Sequence, residues 1–222
     1  MSFLASPNQT AHHLRTAVVD TALKMGRAGI NQGKSGNVSA RIDGGFLITP
    51  TGMPYEELQP EHIVAMRMDG SFDGETLPSS EWRFHRDIYA ARADAGAIVH
   101  THSVHAAALS VLGRDVPAFH YMIAVAGGDS IRCAPYATFG TQQLSDHAVA
   151  ALCDRRACLL AHHGAISLGS SLETALGIAI EVEVLAAMYL KLLPLGNIPL
   201  LPAEEMAHVL KKFNHYGQQR RP

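Results

Sequence analysis

The sequence predicts a mixed α/β fold that forms a single domain over residues 1–222. Of its 222 residues, 47% are hydrophobic and 17% are charged, so the chain can bury a sizeable core. Segments with helical periodicity alternate with short runs rich in β-branched and aromatic residues. Because no repeat, low-complexity tract or long linker interrupts this order, we expect one domain rather than two.

Amphipathic periodicity predicts two long helices and four shorter ones. Apolar residues recur every three or four positions over about 8–29 and again over 175–193. The shorter helices are expected in EWRFHRDIYAARADA, over 106–112, in LSDHAVAALCD and in AEEMAHVLKKF. Three prolines between positions 194 and 202 separate the second long helix from the last short one.

Short β-prone runs bounded by glycine or proline predict the strands. They lie around Val38, over 46–49, in HIVAMRM, in AGAIVHTH and in ACLLAHHGAIS. The last run is expected to be one strand, and it carries His162 and His163.

Composition argues against several classes of function. The formal net charge is −2 and no long basic stripe is present, so nucleic acid is not an expected partner. Cys133, Cys153 and Cys158 are an odd number without a C-x-x-C pair, which indicates reduced thiols in a cytoplasmic protein. Since no apolar run reaches membrane length and the N-terminus lacks a signal pattern, we expect no membrane partner.

The segment AGAIVHTHSVHA carries three of the chain's 13 histidines. Residues two apart on a strand share a face, so His100 and His102 are expected side by side. His105 should lie on the first turn of the following helix and point elsewhere. Two buried imidazoles need either hydrogen-bond partners for both ring nitrogens or a metal ion, and this pair alone leaves both interpretations open.

A second pair, His162 and His163, strengthens the metal interpretation. Two histidines from one strand and one from another strand end match the three-histidine pattern of catalytic zinc, which keeps a position open for water or substrate. Adjacent strand residues point to opposite faces, so only one of His162 and His163 is expected to be a ligand. Periodicity does not decide between them.

Glu81 follows Ser79 and Ser80 at the predicted start of a helix. A serine cap and an acid in the first turn both stabilise a helix, which is the simple explanation. The same geometry also exposes backbone N–H groups and two hydroxyls, which suit a phosphate group.

A glycine-rich loop over 29–37 offers further backbone N–H groups. AGINQGKS lacks the first glycine of a P-loop and follows a helix rather than a strand, so nucleotide hydrolysis is not expected. Backbone contacts around Gly36, Asn37, Thr51 and Gly52 can still cradle a phosphate.

Seven segments, taken in order, carry a family resemblance. They are NQGKSGNVSAR, LITPTGMPYEEL, LPSSEWRFH, VHTHSVHA, FHYMIAVAGGDSIRCAPYATFGT, LLAHHGA and EVEVLAAMYL. Together they resemble the class II aldolase/adducin family, most of all its L-fuculose-1-phosphate aldolase branch. The resemblance implies a three-layer αβα fold, in which helices flank a central, mainly antiparallel sheet, and a homotetramer with sites at the subunit interfaces.

The resemblance also implies the metal and its ligands. One zinc ion per subunit would be bound by His100, His102, His163 and Glu81, and Glu81 would become the catalytic base once substrate takes its place. The implied reaction is retro-aldol cleavage of a ketose 1-phosphate to dihydroxyacetone phosphate and an aldehyde such as L-lactaldehyde. A divalent metal stabilises the enediolate as a Lewis acid, so no Schiff-base lysine is required.

Two tyrosines and a set of substrate-binding residues complete the implied site. Tyr121 would donate a proton, and Tyr216 would reach a neighbouring subunit's site from the C-terminal tail over about 203–222. The implied substrate-binding residues are Gly36, Asn37, Thr51, Gly52, Ser79, Ser80 and Phe139.

Three other functions compete with this one. A 5-deoxyribulose or 5-methylthioribulose 1-phosphate aldolase of nucleoside salvage would use the same ligands and release the same product. A pentulose-phosphate 4-epimerase is less favoured, because that branch carries Asp where this chain has Glu81. A non-catalytic, adducin-like binding module is expected to lose ligands, and all four are present in this sequence.

Overall fold

A seven-stranded mixed sheet forms the centre of the protein. The computed structural model describes the backbone of residues 7–213 and the side chains of residues 12–213. The order across the sheet is β3-β2-β1-β4-β7-β6-β5, and every described strand pair is antiparallel except β5 with β6. The strands are β1 (Asn37–Ile42), β2 (Gly45–Ile48), β3 (Val64–Arg67), β4 (Ala97–Thr101), β5 (Arg132–Ala134), β6 (Ala157–Leu160) and β7 (Gly164–Gly169).

Helices cover both faces of the sheet, which confirms the predicted three-layer αβα architecture. On central strand β4, Ile98 packs into the core beneath α2 and α4, whereas its neighbours Ala97 and Val99 pack with α1 and α5. The opposite face also carries α3 and α6. The helices are α1 (Pro7–Arg27), α2 (Trp82–Ala91), α3 (Val104–Val111), α4 (Gln142–Ala151), α5 (Leu172–Leu192) and α6 (Ala203–Phe213). None of the described helices is long and apolar enough to cross a membrane.

The segment ACLLAHHGAIS forms two strands, so the prediction of one strand is wrong. β6 ends at Leu160, the chain turns over 161–163, and β7 begins at Gly164 as its antiparallel partner. The residue with left-handed backbone, at φ 56°, is His162 rather than a glycine, so the usual sequence signal for a turn is absent at this position. Both strands are buried, so their side chains read as one continuous apolar run.

Two further elements carry no clear sequence signal. β5 has three residues and pairs at the edge of the sheet, which is too short for a periodic pattern. A 3₁₀ helix, Tyr121–Ala126, contributes Ile123 and Ala124 to the core beneath α5.

Gly164 is required where β7 passes β4. A Cβ atom built there would lie 2.2 Å from the backbone oxygen of Thr101, which cannot move without breaking the sheet. We expect Gly164→Ala to lower the free energy of unfolding by about 1–3 kcal/mol, as overpacked sites do. Urea unfolding monitored by circular dichroism measures this change.

Gly177→Ala in α5 is the matched control. A Cβ atom there meets no other atom within 4 Å, and replacing a glycine inside a helix stabilises by roughly 0.5–1 kcal/mol. Equal effects of the two substitutions would contradict the close contact at Gly164.

Candidate metal centre and active site

Four side chains meet at one end of the sheet, next to the last residues of β4. One potential ligand atom from each of Glu81, His100, His102 and His163 lies within 4.8 Å of the others. Glu81 directly precedes α2, His100 is on β4, His102 is just beyond it, and His163 is in the turn between β6 and β7. The expected shared face of His100 and His102 is confirmed, because their Nε2 atoms are 2.9 Å apart.

His100 is oriented by the sheet itself. Its ring is fully buried, and Nδ1 lies 3.0 Å from the backbone oxygen of Ala165 on the neighbouring strand β7. A carbonyl oxygen only accepts, so Nδ1 donates to it and Nε2 faces the cluster. An outer hydrogen bond of this kind is typical of metal-binding imidazoles.

Helix α3 holds the other two histidines in place from its two ends. At its start, Glu183 accepts hydrogen bonds from the backbone N–H groups of His105 (3.0 Å) and Ala106 (2.9 Å), just after His102. At its end, the hydroxyl of Ser110 accepts from the backbone N–H of His163 at 3.2 Å. The turns that carry His102 and His163 are therefore tied to one rigid helix.

His105 points away from the cluster, as predicted. Its Nδ1 lies 2.7 Å from Oε1 of Glu183. His105 therefore belongs to the support of α3 rather than to the cluster.

Burial keeps two of the histidines uncharged. Burial, strengthened by the nearby His100, lowers the pKa of His102 to about 3 and that of His163 to about 4. Both imidazoles therefore offer lone pairs at neutral pH.

Glu81 supplies the negative charge. Burial raises the pKa of its carboxyl, but His100, His163 and a hydrogen bond from Asn37 outweigh this effect and lower it to about 2. Oε2 lies 3.1 Å from Nε2 of His100, and Oε1 lies 3.2 Å from Nε2 of His163.

The donor set fits a divalent metal ion. Oε1 of Glu81 is buried and has no hydrogen-bond partner among the described residues. Nitrogen and oxygen lone pairs that converge in this way repel one another unless a cation lies between them. Three imidazoles and one carboxylate suit a borderline ion such as zinc better than magnesium.

The loops predicted to bind phosphate lie together next to the cluster. The backbone N–H of Ser79 donates to Thr49 (3.0 Å), and that of Thr51 donates to Leu77 (3.1 Å), which joins two of the loops. The glycine-rich loop over 29–37 is joined to them by Lys34, whose Nζ donates to the backbone oxygen of Gly52 at 2.8 Å.

Two of the predicted phosphate-binding residues, Asn37 and Ser79, form hydrogen bonds with Glu81 of the cluster. The Nδ2 atom of Asn37 donates to Oε2 of Glu81 at 3.0 Å, and the hydroxyl of Ser79 accepts from the backbone N–H of Glu81 at 3.3 Å. Ser79 is thus not the N-cap of α2. Glu81 occupies that position, and it makes no capping hydrogen bond with its side chain.

A cavity of about 320 Å³ opens onto the cluster. Predicted residues that line it are Ser80, Glu81, His102, Phe139 and His163. The remaining lining residues are Lys34, Ser35, Tyr136, Ala137 and His162. His162 and His163 therefore both face the cavity, but His163 belongs to the cluster whereas His162 contacts the ring of Tyr136 edge-on at 6.0 Å.

The predicted catalytic Tyr121 is not part of this arrangement. Tyr121 begins the 3₁₀ helix, is 47% exposed, and is not among the described residues that line the cavity. Tyr216 lies outside the described residues. The other part of the predicted tail, α6, is described, and it packs Met206 and Val209 into this chain's own core.

Sequence reasoning missed a polar network behind Glu81. It consists of Ser39, His85 and Tyr89 together with Asn37, and all four are buried. A signal was available, because Glu81, His85 and Tyr89 are spaced by four residues, which places them on one side of a helix.

A mainly antiparallel sheet between helical layers, with three imidazoles and a carboxylate at one end, defines a protein able to hold a divalent metal ion. Residues 16–190 match the protein family described as Class II Aldolase and Adducin N-terminal domain. The chain therefore belongs to the class II aldolase/adducin family. It is an aldolase, a carbon–carbon lyase.

Relatives with established names cover nearly the whole chain. L-fuculose phosphate aldolase of Escherichia coli is 55% identical over 205 residues, which cover 92% of this chain and 95% of that protein. The 5-methylthioribulose-1-phosphate/5-deoxyribulose-1-phosphate aldolase of Rhodospirillum rubrum is 50% identical over 204 residues, 92% of each chain. A solved structure of L-fuculose 1-phosphate aldolase has a TM-score of 0.88 at 37% identity and covers 96% of this chain and 100% of that one.

The neutral histidines make the metal-free protein sensitive to acid. The folded-state pKa values of His85 (about 3), His102 and His163 lie below the ordinary 6.5, so the unfolded chain binds more protons between these limits. Stability is therefore complete above pH 6.5 and falls as the pH is lowered toward 3. The fully buried His85 contributes up to about 1.4 kcal/mol per pH unit.

Urea unfolding with chelator at pH 7, 6 and 5 measures this dependence. His102→Asn should make the slope shallower, because one titrating group is removed. Stability that stays constant or rises on acidification would contradict the assignment of neutral imidazoles.

Proposed function

We propose that this aldolase cleaves a ketose 1-phosphate of the L-fuculose 1-phosphate type to dihydroxyacetone phosphate and L-lactaldehyde. The observation that carries the proposal is the joint position, around one cavity, of three cluster residues and of Lys34, Ser35 and Ser80 from the phosphate-type loops. Sequence identity of 55% to an L-fuculose phosphate aldolase supports the choice of substrate.

One zinc ion per chain is the proposed cofactor, held by His100, His102, His163 and, before substrate binds, Glu81. When bound, it would supply Lewis-acid stabilisation of the negative charge that develops on the cleaved ketose. The neutral state of His102 and His163 supports this assignment, since only unprotonated imidazoles bind metal ions.

Glu81 is the proposed base. Its carboxylate takes the proton from the C4 hydroxyl, the C3–C4 bond breaks, and C4 leaves as the aldehyde carbon. The electron pair of the broken bond remains on the enediolate, whose C3 then takes a proton from a tyrosine hydroxyl, proposed to be that of Tyr121. The ionised state of Glu81 suits the first step.

The phosphate is proposed to lie among the loops beside Glu81. The proposed contacts come from Gly36, Asn37, Thr51, Gly52, Ser79 and Ser80. The amide nitrogen of Asn37 carries two N–H groups, and one of them donates to Glu81, so a phosphate contact from this side chain would use the other. Lys34 adds a positive charge at the lip of the cavity. Phe139, 64% exposed, is proposed to line the aldehyde side.

The active unit is proposed to be a homotetramer of single-domain chains. Tyr121 is exposed and does not line its own chain's cavity, which supports a site completed between subunits. Tyr216 is proposed to reach a neighbour's site. It follows α6, which ends at Phe213, in the sequence.

A ketose 1-phosphate with a deoxy or methylthio end is the second candidate substrate. The 50% identity to the Rhodospirillum rubrum enzyme favours it. Both candidates present the same phosphate and ketone, so the cluster and the loops treat them alike.

A panel of ketose 1-phosphates tests the proposal. Released dihydroxyacetone phosphate is measured with a coupled dehydrogenase, and we expect the highest kcat/KM with L-fuculose 1-phosphate. A higher value with 5-deoxyribulose or 5-methylthioribulose 1-phosphate would assign the second function. No release from any of them would overturn both.

Glu81→Gln and His102→Ala should separate the roles within the cluster. With Glu81→Gln the three histidines still hold the ion, so metal content should stay near one per chain while turnover falls ~10²–10⁴-fold, the scale for loss of a general base. His102→Ala should lose both the metal ion and turnover. Metal analysis and the coupled assay, run on the same preparations, give the two values.

His105→Ala is the control, because His105 pairs with Glu183 outside the cluster. It should keep its metal content. If Glu81→Gln emptied the site while His105→Ala abolished turnover, the assignment of roles would be wrong.

A further inference from the structure

A continuous chain of buried hydrogen bonds runs from the core to Glu81. The hydroxyl of Tyr89 lies 2.8 Å from Oγ of Ser39, which lies 2.7 Å from Nδ1 of His85. Nε2 of His85 lies 2.5 Å from Oδ1 of Asn37, and Nδ2 of Asn37 lies 3.0 Å from Oε2 of Glu81. We call Asn37, Ser39, His85 and Tyr89 the relay.

The end of the relay fixes the direction of every bond in it. An ionised carboxylate only accepts, so Asn37 must donate to Glu81 through its amide nitrogen and accept through its amide oxygen. Nε2 of His85 must then carry the proton, and Nδ1 must accept from Ser39. Ser39 accepts in turn from the hydroxyl of Tyr89.

The relay is dry and uncharged. Ser39 and His85 are both 0% exposed. Burial lowers the pKa of His85 to about 3, an effect that nearby His100 strengthens and Glu81 opposes, so the imidazole is neutral with one donor and one acceptor. This state is the one that the direction of the bonds requires.

We propose that His85 is a positioning residue for the reaction, acting through Asn37. It holds Oε2 of Glu81 in place and leaves Oε1, which faces His163, as the oxygen that would hold the metal and would take the substrate proton. The relay would anchor the carboxylate in either role. This role rests on the proposed function of Glu81 as the base.

The asymmetry of the carboxylate supports the proposal. Among the described residues, Oε2 receives the hydrogen bond of Asn37 and lies 3.1 Å from His100, whereas buried Oε1 has no hydrogen-bond partner. The network ends on the only carboxylate of the cluster, at the oxygen that Asn37 contacts.

His85→Phe and His85→Gln test the role of the ring. Phe fills a similar space but can neither donate nor accept, whereas Gln retains one donor and one acceptor. For His85→Phe we expect metal affinity or kcat to fall ~10–100-fold, the scale for loss of an outer-shell partner, with KM nearly unchanged. His85→Gln should restore most of both.

Tyr89→Phe is the matched control for stability. It removes a hydroxyl at the far end of the relay, so it should lower the melting temperature while the bonds between Ser39 and Glu81 persist. Metal affinity, measured by competition with a chelator, should then change less than in His85→Phe. If His85→Phe fails to fold, Ser39→Ala replaces it, since the ring then loses the group that holds Nδ1.

Three measurements decide the outcome: metal affinity, kcat and KM per metal-loaded chain, and melting temperature. Losses in His85→Phe that Gln rescues support the proposal. It is overturned if both variants retain wild-type metal affinity and kcat, or if losses only follow the fraction of folded protein. If the wild type bound metal but cleaved no ketose 1-phosphate, the proposed function alone would fall, and the affinities would still test the anchor.

Discussion

The mutual repulsion of four ligand groups at one point is the constraint on which this structure depends. Nitrogen atoms of three imidazoles and an oxygen atom of a carboxylate converge within 4.8 Å, in a place where burial leaves little water to screen them. Without a cation, such an arrangement favours outward rotation of each side chain. Three of the four ligands have a hydrogen bond behind them: the ring of His100 to the carbonyl of Ala165, the backbone N–H of His163 to Ser110, and the carboxylate of Glu81 to Asn37.

These supports come from different layers of the fold, which explains why the site needs the whole domain. The sheet aligns His100, α3 ties the turns of His102 and His163 together, and α5 supplies Glu183 to the start of α3. Helix α2 brings Glu81 to the cluster from the other layer. A change in the packing of either layer moves one ligand relative to the rest, and displacements of about 1 Å at such sites cost much of the activity.

Much of this arrangement is readable from sequence, and the failures have physical causes. The period of two placed His100 and His102 side by side, and the expected break after them directed His105 elsewhere. Which of His162 and His163 faces the cluster depends on the turn between β6 and β7. The residue with left-handed backbone in this turn is His162, so periodicity and glycine positions do not predict the turn there. His85 was not singled out from the sequence, because its contacts with Asn37 and Ser39 form only when α2 packs on β1. The proposed roles of Tyr121 and Tyr216 depend on contacts between chains, which neither periodicity nor one chain's geometry specifies.

The separation between relatives with different substrates follows from the same geometry. In the proposed function, the cluster and the phosphate-type loops contact the half of the substrate that all ketose 1-phosphates share, so they do not distinguish one aldehyde half from another. What remains of the cavity is the wall of Phe139, Tyr136 and His162. Phe139 and Tyr136 are 64% and 59% exposed in the single chain. Exposed aromatic side chains at the mouth of a site can change without disturbing the fold or the ligands. We therefore expect selectivity for the aldehyde to depend on positions where substitution costs little stability, and the proposed chemistry to depend on the buried cluster, where it costs more.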